Sequence, residues 1–363
     1  MTFLQKRWYV AAWPEEIGRE FLSRTILNKP VLFYRTEDGS AVALQDRCPH
    51  RFVPLSEGRL IGDVVECGYH GLRFESNGNC ILNPHGDRRI PPGAHVASYP
   101  VAERHGLVWI WMGPPELADP GLIPGFFDFM AGPHTGFRTT HNYVHARYGA
   151  DILIDNLMDL SHAEFLHRGS FSAGYAENST MRSFRDGDTI CVERDLLETE
   201  MPPFMAPLYD GGNAPVDHWQ HYRWVAPGLI RFEFGVVRSG EARDSGARIY
   251  ATHIATPETT NTTHYFASIS RLVTLDDASE DETWRLMQRG PVEHEDSPML
   301  EKQQAAMAGE DFWSLKPLIL ETDAGAVRVR RMMKQLINEE QESVSGRKPH
   351  EPTMAGNHSN YAD

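Results

Sequence analysis

Cys48-Pro49-His50 and Cys67-Gly68-Tyr69-His70 decide how this chain is read. Each clip carries one thiolate and one imidazole on a short loop. Together they form the donor set of a [2Fe–2S] cluster with two Cys on one iron and two His on the other, the neutral imidazoles raising its potential above that of an all-Cys cluster. Residues 51–66 between the clips are long enough for a hairpin that brings two loop tips together, and Gly68 and Gly71 suit tight turns. A Cys2His2 set also holds tetrahedral zinc. Zinc clips usually pair Cys with Cys and His with His, however, so donor softness and spacing favour a Rieske-type cluster.

Working outward, the sequence from Met1 to about Trp111 alternates short β-rich runs with turn signals: 24–27, 31–34 ending at Asp38-Gly39, 41–44 and 107–111. This predicts a small antiparallel β domain with both clips on its loops. Pro and Gly crowd residues 113–133, which places the domain junction there. Beyond it, residues 150–166 read as helix, stopped by the Gly/Ser-rich stretch that follows. Strand-like runs at 189–192, 229–237, 248–256 and 263–269 come next. Helix returns from about 282 to 307, with a break expected at Gly290-Pro291, and again from Thr322 to about Glu340, capped by Thr322 or Asp323. The fold class is therefore α+β, with three segments: a cluster domain (1–115), a second domain with a central antiparallel sheet flanked by helices (116–340), and a polar tail (341–363).

The 363 residues suffice for two substantial cores, and 41% hydrophobic with 23% charged residues is ordinary for a globular chain. Of four Cys, two belong to the clips; Cys80 and Cys191 read as free, buried thiols of a reducing compartment. No export signal and no run near twenty apolar residues is visible, so the expectation is a cytoplasmic protein outside the membrane. With 35 Lys+Arg against 50 Asp+Glu, net −15, the surface is not one that neutralises nucleic-acid phosphates.

A second constellation lies in Asn156-Leu157-Met158-Asp159-Leu160-Ser161-His162-Ala163-Glu164-Phe165-Leu166-His167. On a regular helix, histidines five apart differ by about 140°, so His162 and His167 can share one ion only if the helix ends or distorts between them. Asn156, Asp159 and His162 fall on one ridge. An iron–sulfur cluster needs an electron acceptor, and a 2-His-1-carboxylate site is how non-haem Fe(II) activates O2. Asp159 is better placed to hydrogen-bond a ligand histidine than to bind metal, so the carboxylate should come from afar. Glu293-His294-Glu295-Asp296 offers three choices.

These motifs, with Trp8-Tyr9-Val10-Ala11, Pro215-Val216-Asp217, Thr256-Pro257-Glu258 and Asp323-Ala324-Gly325, resemble the oxygenase component of a Rieske non-haem iron oxygenase. Within that family the chain is most similar to the vanillate and dicamba O-demethylase group. The resemblance implies that Cys48, His50, Cys67 and His70 hold the cluster and that His162, His167 and Asp296 hold a mononuclear Fe(II). It further implies that Asp159, with Asn156 nearby, serves catalysis, Asp159 linking the iron site to a cluster histidine of a neighbouring subunit in a homotrimer.

The activity so implied is O2-dependent O-demethylation of a methoxylated aromatic acid, releasing formaldehyde. Ring hydroxylation or cleavage of another aryl ether is the alternative within the family, and a Rieske electron carrier or zinc-binding protein the reading outside it. No nucleotide-binding fingerprint and no further Cys set is present, so electrons from NAD(P)H must arrive through a separate ferredoxin-type or flavin reductase. Among polar and aromatic candidates for substrate contact, His253, Arg231 and Phe232 stand out. Arg231 and Phe232 alternate along a strand, so only one of the two can face the cavity.

Overall fold

The computed structural model describes residues 3–131, 135–167, 179–212, 214–272 and 278–345. The N-terminal unit holds three small antiparallel sheets. Strands β1 (Trp8–Ala12), β10 (Val101–Arg104) and β11 (Leu107–Trp111) form the first; β2 (Leu22–Ile26), β3 (Lys29–Arg35), β4 (Ala41–Gln45) and β9 (Ser98–Tyr99) the second; β5 (Arg59–Ile61), β6 (Val64–Glu66), β7 (Arg73–Phe74) and β8 (Cys80–Leu82) the third.

Leu107-Val108-Trp109-Ile110-Trp111 is apolar at every position because β11 is covered on both faces. Val108 and Ile110 join Val31, Phe33 and Tyr9 in the core of the N-terminal unit. Leu107, Trp109 and Trp111 instead pack with Leu229, Ile254 and Phe266 of the second unit. The junction segment is part of that shared core: it winds through three 3₁₀ turns, Pro115–Leu117, Pro120–Leu122 and Gly125–Met130, and buries Ile123, Phe127 and Met130. Polar links cross the same seam, with Thr256 Oγ1 donating to the Val10 carbonyl at 2.8 Å and His264 Nε2 lying 2.9 Å from the Thr25 carbonyl.

The second unit is built on a seven-stranded antiparallel sheet. Its strands are β12 (Phe137–Ala146), β13 (Ser179–Asp186), β14 (Thr189–Thr199), β15 (Val216–Val225), β16 (Leu229–Arg238), β17 (Ala247–Pro257) and β18 (Thr263–Leu272), in the order β12-β18-β17-β16-β15-β14-β13. One face packs on the N-terminal unit. The other, which carries Trp224, Ile230, Tyr265 and Ala267, packs on α1 (Ala150–Leu157), α4 (Ser297–Ala306) and α5 (Ala324–Ser345). The α+β expectation and the antiparallel central sheet are both observed.

Three helix boundaries differ from expectation. The helix read over 150–166 is two pieces, α1 and the single turn α2 (Ala163–Leu166). The break near Gly290-Pro291 is a π-helical turn, Val292–Asp296, between α3 (Asp281–Pro291) and α4; Pro291 lacks an amide to continue the ladder, which loosens the turn that follows. Finally, α5 runs to Ser345, so the segment division at 340 falls inside it, and residues 346–363 of the tail lie outside the described residues. Arg330, in the first half of α5, pairs with Asp155 and Asp151.

Sheet geometry depends on one small residue. Gly235 faces Trp219 across β15–β16, and a Cβ there would lie 1.9 Å from the indole. Gly235→Ala is expected to destabilise the protein by about 1–3 kcal/mol through overpacking, read as a lower urea midpoint with unchanged m. Three buried histidines add an acid sensitivity: burial pushes His218, His253 and His264 each down to about 4. Unfolded histidines titrate near 6.5, so the unfolded chain takes up more protons between pH 6.5 and 4. Stability is expected to fall across that window as pH drops, measurable as a declining melting temperature.

Candidate metal centres

The two clips occupy equivalent loops, one after β4 and one after β6. Each Cys amide donates to the carbonyl five residues on (Cys48 to Val53 at 2.9 Å, Cys67 to Leu72 at 2.8 Å). Each Cys carbonyl accepts from the amide four residues on, Phe52 and Gly71 at 3.0 Å. Closing such a loop needs a left-handed residue at that fourth position: Gly71 has φ +70° and Phe52 φ +64°. For a phenylalanine this backbone is strained.

Cys48 and Cys67 are buried, and burial pushes the Cys48 thiol up to about 11, so binding a metal there must release protons. His50 and His70 lie nearer the surface with ring centroids 4.5 Å apart. Desolvation, then the charges of His50, His85 and Arg51, hold His70 toward the neutral form that ligates iron. Among the described residues these four donors do not gather within one ion's reach, as a tetrahedral zinc site requires. They fit a cluster whose two irons are held separately.

The second centre is built where α1 ends. Asp159 Oδ1 accepts from both the amide (2.8 Å) and the hydroxyl (2.6 Å) of Ser161, an Asx turn that stops the helix and restarts it as α2. His162 then stands at the N-cap of α2 and His167 at its C-cap, with ring centroids 5.1 Å apart. The helix end that the spacing demanded falls at His167, where α2 stops, and the Asx turn adds a second interruption before His162.

The Nδ1 atoms are occupied from outside: His162 Nδ1 by the Asp159 carbonyl, and His167 Nδ1 by Glu295 Oε2 at 2.5 Å. Both Nε2 atoms are thereby aimed at Asp296 Oδ1, 3.6 Å from His162 and 3.3 Å from His167. The three donor atoms lie within 4.8 Å of one another. Of the three acidic choices, the π turn presents Asp296 inward, Glu295 to His167, and Glu293 outward to Arg289.

Two further observations suit a bound cation. Burial opposes charge on His167, yet the carboxylates of Asp296 and Glu295 outweigh it and raise the imidazole above its ordinary value. Asn156 Nδ2 donates to Asp296 Oδ1 at 3.1 Å, while Asn156 Oδ1 is buried without a partner among the described residues.

Asp159 differs from expectation: its carboxylate bonds its own turn, and its backbone carbonyl orients His162. Of the substrate candidates, Phe232 and His253 lie on the sheet face toward the triad, stacked on or beside Tyr222. Arg231 does not. Its guanidinium lies on the opposite face, 5.8 Å from the rings of Phe126 and Tyr250. Sequence reasoning passed over Tyr222 and Tyr265, which flank His253 on the triad side; only the pairing of Tyr222 with Phe232 in the β15–β16 hairpin would have found Tyr222.

Residues 7–100 match the Rieske [2Fe-2S] domain and residues 144–339 the vanillate O-demethylase oxygenase C-terminal domain. The chain is 38% identical to the chloroacetanilide N-alkylformylase oxygenase component of Rhizorhabdus wittichii, across 93% of this chain and 97% of that one. It is 39% identical to the dicamba O-demethylase oxygenase component of Stenotrophomonas maltophilia, across 93% and 98%. It is 33% identical to a vanillate O-demethylase oxygenase subunit from a Pseudomonas species, across 94% and 97%. A crystal structure of dicamba monooxygenase bound to dicamba superposes with a TM-score of 0.86 at 36% identity, covering 94% of this chain and 99% of that one.

Proposed function

The chain belongs to the Rieske non-haem iron oxygenases, and from that premise we propose that it removes a methyl group oxidatively from a methoxylated aromatic compound. It is an oxygenase component, so electrons come from a separate reductase. What carries the residue-level reading is the aim of two imidazole Nε2 atoms at one Asp296 oxygen. In it, Cys48, His50, Cys67 and His70 hold the [2Fe–2S] cluster, and His162, His167 and Asp296 hold the Fe(II).

Bound there, the iron supplies O2 activation with electrons relayed from the cluster. The chain's own residues do the placing. The Asp159 carbonyl and Glu295 fix the two imidazole tautomers, Asn156 tethers Asp296, and Tyr222, Phe232 and Tyr265 lie on the sheet face toward the triad. The overall change consumes the ether, O2, two electrons and two protons, and yields a phenol, formaldehyde and water. One methyl C–H becomes C–OH, and the resulting hemiacetal releases formaldehyde.

In this reading the functional unit is a homotrimer in which Asp159 of one chain meets His50 or His70 of the next. No helix among the described residues is long and apolar enough to cross a membrane. Metal analysis, with turnover of methoxylated aromatics by a surrogate reductase, tests the proposal. About three irons per chain and stoichiometric formaldehyde support it; zinc, two irons or a cis-diol product overturns it. Glu295→Gln is expected to weaken iron binding by about 10- to 100-fold without altering the cluster, checked by iron titration of the apoprotein.

A further inference from the structure

Both histidines of the second centre stand at the ends of one helical turn, so whatever holds that turn sets where both of them point. His162 is the N-cap of α2 and His167 its C-cap. A four-residue helix spans about 6 Å and makes too few hydrogen bonds to be stable alone. It must be held by what it touches. None of its apolar side chains joins a core cluster among the described residues, and Phe165 is 60% exposed. The side chain that α2 buries is a charged one, Glu164.

Glu164 reaches the central sheet. Its Oε1 lies 2.8 Å from Arg194 Nη1, and both side chains are buried. Arg194 is a rigid point of attachment, because it sits inside β14, paired with Met181 of β13 on one side and Gln220 of β15 on the other. Val192, two residues away, pairs with Tyr222 and joins the core shared with α1 and α5, so period-two alternation puts Arg194 on the sheet face toward the triad. Its chain neighbours point the other way: Glu193 meets Arg182 and Arg223, and Asp195 meets His221 and Arg243.

Burying two charges costs hydration that their attraction repays only in good geometry, so such a pair is a poor source of stability. It is a better source of direction. A hydrogen bond between guanidinium and carboxylate has a preferred geometry, whereas apolar burial has none. The other tethers at this centre each hold a single imidazole, the Asp159 carbonyl that of His162 and Glu295 that of His167. Glu164 instead holds the turn that carries both.

We propose that Arg194 is a positioning residue for the iron centre, holding α2 through Glu164 so that the two Nε2 atoms converge on Asp296. The inference rests on the reading of His162, His167 and Asp296 as the iron ligands.

Anaerobic Fe(II) titration of the full-length, cluster-loaded protein against a chromophoric chelator tests it, with cluster absorbance, melting temperature and the EPR spectrum of the iron's nitrosyl adduct read alongside. Glu164→Leu combined with Arg194→Leu replaces the pair by apolar contact and strands no charge. This double variant is expected to keep the parent's cluster absorbance and melting temperature yet bind Fe(II) at least about tenfold more weakly. Arg194→Lys keeps the charge but not the planar guanidinium; it is expected to lose about threefold to tenfold in iron affinity and to shift the adduct spectrum. Should the double variant fail to fold, Arg194→Lys decides. Parent affinity with the parent adduct spectrum in either folded variant overturns the proposal, and so does a loss of affinity confined to variants whose melting temperature falls. A parent protein that takes up no iron at this centre sinks the iron-ligand reading itself, a result visible before any variant is made.

Discussion

His167→Ala is expected to abolish turnover and iron binding at the second centre while the visible spectrum of the cluster remains that of the parent. The two donor sets sit in different units, and nothing in the clip loops depends on α2: Cys48 and Cys67 are held by Val53, Leu72, Phe52 and Gly71. His167 itself is held by Glu295 and faces Asp296, so its removal leaves one imidazole and one carboxylate, too few donors for the three-ligand site. Losing a ligand outright should cost more than about 100-fold, the upper end of what losing an outer hydrogen-bond partner costs. His162→Ala should behave alike. The measurements are iron content, cluster absorbance and formaldehyde release. If cluster absorbance disappears from folded variants of both histidines, the two donor sets have been assigned to the wrong centres.

How much of this was legible in the sequence depended on how local each feature is. The clips are short, so spacing and donor type together proposed a ligand set, and the structure places both clips on matching loops. A helix end between His162 and His167 was inferred as a necessity, and it falls at His167; the interruption before His162 was also readable, because an aspartate two residues before a serine is an Asx-turn signal that competes with helix. The choice among Glu293, Glu295 and Asp296 was not legible, because all three fall within the π turn, whose wider pitch shifts which side chain points inward.

Arg231 shows a different limit. Period-two alternation said that Arg231 and Phe232 must part company, but the direction depends on register against β15 and β17, where Phe232 pairs with Tyr222 and Ala251. Register is a property of the sheet, not of the strand. Phe52 was likewise passed over, because its left-handed backbone is forced by closure of the Cys48 loop and no residue type announces it.

Asp159→Asn isolates the remaining step of the proposed reading, transfer of electrons between chains. Among the described residues the half-buried carboxylate bonds its own turn and does not orient His162, a task that falls to the backbone carbonyl. An asparagine oxygen can accept from Ser161 in the same way. The substitution therefore preserves the Asx turn and the aim of both imidazoles, and removes one negative charge. Both metals should stay bound, and stability should change by less than about 1 kcal/mol. A bridge to His50 or His70 of a neighbour, however, needs a carboxylate to hold an imidazole proton between the centres. Reoxidation of the reduced cluster by O2 in the presence of substrate, followed by rapid mixing, should slow at least tenfold, on the order of what losing a charge-assisted hydrogen bond costs. Asp159→Ala, which also loses the turn, should in addition shed iron. If the Asn variant reoxidises at the parent rate with both metals in place, the bridge is wrong, and the case for electron transfer across a subunit boundary loses its residue.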